Sequence, residues 1–186
     1  RMVGSSFKPF VYLSAMQNLG YHPGTVLVDE PMIFELPHNK KWEPANYNDE
    51  YMGPIVLKKA LAKSLNVISA KLIFKVQPKK VVQTARKFGF TSPLSENYSL
   101  ALGATGASPL ELASAYSVIA NLGEYRDPFY VSKIEDYQGN VLYEHFIEGE
   151  KRFEPDEIYP LLDMMQGVMD DGSGRVIRRM GFKHPA

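Results

Sequence analysis

The chain contains no cysteine, which excludes a disulfide scaffold, a thiolate zinc site and a cysteine nucleophile. Neither sign of charge is in excess: Lys plus Arg total 21, Asp plus Glu total 21, and the formal net charge is zero. Phosphate-backbone binding needs a basic excess or stripe, so no nucleic-acid partner is expected. No apolar run reaches the roughly 18 residues that a bilayer-spanning helix requires, and no signal-peptide pattern is visible. The four histidines, His22, His38, His145 and His184, show no zinc-binding spacing. Asp170-Asp171-Gly172 lacks the rest of a calcium loop. No metal and no cofactor are expected.

What is present is a globular composition. With 186 residues and 45% apolar residues, the chain can bury roughly 70% of the surface that its unfolded form exposes. It reads as one domain, or a large piece of one. Arg1 stands where a start methionine would be, so the expectation is a piece of something longer. The pattern predicts a helix from about Ser5 to Leu19, stopped by Gly20. Residues 21–53 read as a long irregular excursion with short strands at most. Helices are expected over 54–63 and 67–76, then from Pro78 to near Gly89. Another opens at Ser108-Pro109, where Glu111 completes a capping box, and buries Leu110, Ala113, Ala115, Tyr116, Ile119 and Ala120. Segments 129–136 and 140–146 alternate as a hairpin turning at Gln138-Gly139. A last helix covers 156–170, broken by Gly172-Ser173-Gly174. The expected class is α+β with a helical majority.

Chemistry concentrates at Gly4-Ser5-Ser6-Phe7-Lys8. Three residues apart on a helix, Ser5 and Lys8 share a face, close enough for the amine to touch the hydroxyl. A serine hydroxyl needs a base, and a lysine serves as one when burial and a nearby positive field lower its pKa. A helix N-terminus supplies about half a positive charge and free N–H groups. Ser6 sits two residues from Lys8 and points elsewhere, so Ser5 is the expected nucleophile. Ser64-Leu65-Asn66, at the joint between two helices, is a second short motif. Alone it reads equally well as a helix cap and a turn residue. The carboxylate pairs Asp29-Glu30, Asp49-Glu50 and Glu135-Asp136 read as solvated loop residues. Gly103 to Gly106 reads as a short loop with two glycines, a weak phosphate cradle without the lysine of a P-loop.

These motifs recur together in one family. Arg1-Met2-Val3-Gly4-Ser5-Ser6-Phe7-Lys8-Pro9-Phe10 resembles the R-x-P-G-S-S-F-K-P-F stretch of class A penicillin-binding proteins, with Val3 in place of Pro. Trp42-Glu43-Pro44-Ala45-Asn46-Tyr47 resembles their W-x-P-x-N-Y element. Tyr51-Met52-Gly53-Pro54-Ile55 through Ser64-Leu65-Asn66 resembles the lead-in to the family's second motif. Ser99 to Gly103 and Pro109 to Asn121 are similar to later family stretches, in family order.

The resemblance implies the penicillin-binding protein/serine β-lactamase-like transpeptidase fold and a peptidoglycan D,D-transpeptidase. Ser5 would be acylated by a stem peptide ending in D-Ala-D-Ala. Lys8 would be its base, Ser64 the proton relay and Asn66 a substrate-binding amide. The partners implied are peptidoglycan stem peptides and β-lactam antibiotics, at the extracytoplasmic (periplasmic) face of a bacterial membrane, with a membrane anchor expected only in the full-length protein. The third family motif, Lys-Thr/Ser-Gly, does not occur; Gly181 to Ala186 resembles the stretch just before it. Residues 1–186 are therefore expected to be a partial transpeptidase domain. Part of its central sheet, and any glycosyltransferase domain, would lie elsewhere, and the chain alone is expected to be inactive. The alternatives are a β-lactam sensor or silent penicillin-binding module, and a serine β-lactamase, for which no Glu loop is evident.

Overall fold

The computed structural model describes residues 1–184. Of the stretch Gly181 to Ala186, Pro185 and Ala186 thus lie outside the described residues.

Residues Gly4–Phe7 form a 3₁₀ turn that runs directly into α1, Lys8–Leu19. Gly20 closes the helix in the left-handed conformation, a common way to end one. Lys8 to Ala15 are all buried, so the first two turns of α1 are enclosed on every side rather than along one stripe, while Gln17 and Asn18 in its last turn are exposed. An aromatic cluster fixes its first turns. Phe10 packs edge-on to Phe88, Phe90 and Tyr116 at centroid separations of 4.9, 5.0 and 5.8 Å, and Phe7 meets Phe90 at 5.6 Å. Such pairs add to the area they bury.

The excursion after α1 folds as paired short strands. β1, Val26–Asp29, pairs antiparallel with β4, Gly53–Val56, and β2, Phe34–Leu36, pairs with β3, Lys40–Trp42. The helix expected from Pro54 thus begins later: residues 54–56 belong to β4, and α2 spans Leu57–Ala62. Pro54 sits opposite Val28 in this two-stranded ribbon, an edge position where its missing N–H is tolerated. α3, Asn66–Val76, and α4, Pro78–Lys87, match the pattern.

Residues Tyr98–Leu102 make a 3₁₀ turn before α5, Pro109–Ala120. The capping box of Ser108 and Glu111 is present. Its buried stripe is Ala115, Val118 and Ile119, whereas Leu110 is exposed, as are Ala113 and Ala120. The helix is rotated from the expected face. On the same first turn Glu111 accepts from both the backbone N and the hydroxyl of Ser92, a partner outside the helix. β5, Glu124–Tyr125, pairs with β8, Glu150–Lys151. Between them β6, Lys133–Glu135, and β7, Val141–Glu144, form the expected hairpin. Asp136 there is exposed and accepts from Gln138 N and Asn140 N. α6, Pro155–Asp170, is followed by the short α7, Val176–Arg179, which the pattern missed. Among the described residues the strands form four separate two-stranded sheets, and helices dominate. No helix of the described residues is long and apolar enough to cross a membrane.

Candidate active site

The turn carrying Ser5 is held from outside its own helix. Val3 N donates to Thr105 O at 3.0 Å, and Gly4 N donates to Gly103 O at 3.1 Å. Gly4 has φ +56°, the left-handed region that favours glycine. A Cβ on Gly103 would fall 1.9 Å from the Gly4 carbonyl oxygen. The Gly103–Gly106 segment is therefore a clamp on the backbone just ahead of Ser5, not a free loop. Tyr116 on α5 adds a third tie by donating its hydroxyl to Ser6 O at 2.8 Å.

The two serines differ. Ser5 is exposed, and its hydroxyl makes no hydrogen bond among the described residues. Ser6 is half-buried and donates its hydroxyl to Val3 O at 2.6 Å.

Lys8 is 1% exposed. Its Nζ donates to Ser64 O at 2.6 Å, to Ser64 Oγ at 3.0 Å and to Asn66 Oδ1 at 2.8 Å. Burial lowers its pKa from 10.5 to about 8. No hydrogen bond joins Lys8 to Ser5, contrary to the expectation from their spacing. All three protons of the ammonium already point at acceptors on the second motif, leaving none for Ser5. Ser5 and Lys8 are nonetheless walls of one cavity of about 460 Å³, together with Ser64, Tyr116 and the α6 side chains Leu162 and Met165. A neutral amine has two protons and a lone pair, so its formation requires one of the three contacts to reverse or break. Among those acceptors only Ser64 Oγ carries a hydrogen of its own to give back.

Ser64 occupies an unusual backbone position. α2 ends in a motif in which Ser64 N donates to Leu61 O at 2.9 Å and Leu65 N to Ala60 O at 3.0 Å. In such a Schellman ending the residue after the cap takes the left-handed conformation and is usually glycine. Here it is Ser64, with φ +56°. A left-handed L-residue costs roughly 1–2 kcal/mol. The strain aims both the carbonyl and the hydroxyl of one residue at Lys8.

Asn66 begins α3, and no side chain of Leu65 caps that helix. The cap comes from a residue twenty positions upstream. Asn46 Oδ1 accepts from Asn66 N at 2.9 Å and from Val67 N at 3.2 Å. Asn46 Nδ2 in turn donates to both oxygens of Asp29, each at 3.0 Å, and to Glu50 O at 3.0 Å. Asp29 also accepts from Met52 N at 3.0 Å. Asn66 completes the arrangement by donating its Nδ2 to Ala45 O at 2.8 Å. Asp29 is 1% exposed and Asn46 7%, so the reading of Asp29 as a solvated loop residue is corrected. Its buried carboxylate is satisfied by three hydrogen bonds, two from Asn46 Nδ2 and one from Met52 N. Sequence reading missed this bracket. The available signal was Asn46 inside the Trp42–Tyr47 element; nothing local linked it to Asp29.

Ser173, between α6 and α7, also lines the cavity. Its N–H donates to Ala62 O at 3.0 Å, and a Cβ on Gly172 would fall 2.2 Å from that same oxygen. Among the described residues no three His, Cys, Asp or Glu side chains gather as a metal site would.

Comparison with known proteins gives this arrangement a context. The chain is 38% identical over 146 residues to penicillin-binding protein 1A of Pseudomonas aeruginosa, covering 77% of this chain and 18% of that protein. It is 34% identical over 172 residues to penicillin-binding protein 2D of Bacillus subtilis, covering 91% of this chain and 25% of that protein. The chain thus spans about a quarter or less of the length of these relatives. The crystal structure of penicillin-binding protein 1A from Haemophilus influenzae superposes with a TM-score of 0.91 at 25% identity, over 96% of this chain and 32% of that one. The imipenem acyl-enzyme complex of penicillin-binding protein A from M. tuberculosis shares the fold, with a TM-score of 0.79 at 20% identity, over 91% of this chain and 44% of that one. The family model for the penicillin binding protein transpeptidase domain matches residues 2–183. The chain belongs to the penicillin-binding protein transpeptidase family.

Proposed function

We propose that residues 1–186 are part of a single transpeptidase domain that cross-links peptidoglycan through an acyl-enzyme on Ser5. The observation that carries this reading is Lys8. It is a buried lysine with a pKa of about 8, bonded to Ser64 and Asn66 and facing the same cavity as an unengaged serine hydroxyl. A merely structural lysine gains nothing from a pKa brought near neutrality, whereas a general base does.

In this mechanism neutral Lys8 accepts the Ser5 proton as Oγ attacks the penultimate D-alanine carbonyl of the donor stem peptide. The Ser5 N–H, which donates to no neighbouring segment among the described residues, stabilises the oxyanion. By the family resemblance, a further donor and a cationic site for the substrate carboxylate are expected on the Lys-Thr/Ser-Gly motif, and the activity is proposed for the full-length protein. Collapse of the tetrahedral adduct breaks the C–N bond. Ser64 passes its proton to the departing D-alanine amine and is resupplied from Lys8. The Asn66 amide contacts the peptide backbone. An amine of a neighbouring stem then attacks the ester and regenerates Ser5. β-Lactams acylate the same serine. The reaction takes place on the extracytoplasmic face of the membrane.

The test is D-alanine release from a D-Ala-D-Ala stem peptide by the full-length protein. Ser5→Ala is expected to abolish it and Ser6→Ala to leave most of it. Release that survives Ser5→Ala would contradict the proposal.

A further inference from the structure

Beside the reaction cavity lies a second one of about 300 Å³, walled by Lys63, Gly172, Ser173, Arg175, Val176 and Arg179. Three of these six residues are cations. Among the described residues none of the three forms an ion pair, although other surface cations do, including the nearby Arg178 with Asp170. Neighbouring Asp171 pairs with none of them either. Like charges gathered in a concavity repel one another, and they raise the local concentration of anions.

The frame holding them is fixed. The Ser173 N–H bond to Ala62 O and the Gly174 N–H bond to Val168 O, at 2.9 Å, pin the Gly172–Gly174 turn against the end of α2, next to Lys63. Ser173 is the one residue that lines both cavities. An extended peptide seated at Ser5 and passing Ser173 would bring a charged group into the basic cavity.

On the reading given above, we propose that this cavity is a subsite for a carboxylate that the substrate peptide carries away from the scissile bond. The terminal carboxylate of the donor lies only a few bonds from the attacked carbonyl, and the walls of the reaction cavity do not include Lys63, Arg175 or Arg179. The guanidinium groups suit a carboxylate, which they can grip through two parallel hydrogen bonds. Such a carboxylate is carried either by the donor stem or by the acceptor stem.

The experiment uses the full-length protein with Arg175→Gln, Arg179→Gln and the double variant. Donor and acceptor peptides are supplied with the distal carboxylate free or amidated, one partner at a time. A charge-assisted hydrogen bond corresponds to roughly tenfold in affinity. The double variant is therefore expected to raise KM at least about tenfold for the free-acid peptide, with kcat little changed and no effect on the amide. The arm that shows discrimination identifies the strand that carries the group. Penicillin labelling of Ser5, which needs no distal carboxylate, stays at the parent rate. Equal KM values for acid and amide in the parent protein would overturn the subsite, as would a double variant that slows penicillin labelling and both peptides alike. Failure of Ser5 labelling in the parent would instead sink the transpeptidase reading, so the two failures are distinguishable.

Discussion

On the proposed mechanism, with Lys8 as the base, its pKa sets the pH dependence of acylation. An ordinary lysine at 10.5 is neutral to roughly 0.03% at pH 7, whereas one at about 8 is neutral to roughly 9%, so burial raises the supply of base about 300-fold. Only the neutral amine can take the Ser5 proton. The penicillin-labelling rate of the full-length protein should therefore rise roughly tenfold per unit below the pKa and level off above it, with an inflection near pH 8. Lys8→Arg should remove the rise, because a guanidinium stays protonated throughout; its rate should fall by at least about 100-fold. The assay is quenched labelling with a fluorescent penicillin across about pH 6–10. A flat profile, an inflection near 10.5, or an arginine variant that keeps most of the rate would refute Lys8 as the base.

Ser64→Gly should be more stable than Ser64→Ala by about 1 kcal/mol in urea unfolding, because glycine relieves the left-handed strain, while both acylate slowly; equal stabilities would contradict the strain argument. Asn46→Ala should cost about 2–4 kcal/mol, since it uncaps α3 and strips donors from the buried Asp29 carboxylate; a loss below about 1 kcal/mol on denaturant unfolding would show the bracket to be minor. Gly103→Ala and Gly139→Ala both place an alanine at positive φ, +70° and +83°. Only the first meets the Gly4 carbonyl, the second having nothing within 4 Å, so Gly103→Ala should slow labelling and Gly139→Ala should not; equal effects would mean that the clamp on Ser5 is unimportant.

The legible parts of the sequence were those with local causes. α1 and its Gly20 stop, the Ser108 capping box and the Gln138-Gly139 hairpin each follow from residues within a few positions of one another. The Ser5, Lys8, Ser64 and Asn66 motifs were legible through their resemblance to a family. The misreadings were non-local. Pro54 opens no helix because its segment pairs with β1, where its partner Val28 is 26 positions away. Asp29 looked solvated because its donors, Asn46 and Met52, converge only in the fold. The first turn of α5 is tied to Ser92 through Glu111, a contact that periodicity within the helix does not encode. The Ser5–Lys8 spacing gave a shared cavity but not a contact, because the ammonium is committed to the second motif.

The most direct test is the site of the covalent adduct. After reaction of the full-length protein with penicillin, peptide mass mapping should place the adduct on Ser5. It should disappear in Ser5→Ala and persist in Ser6→Ala. An adduct on Ser6, or one that survives Ser5→Ala, would contradict the account.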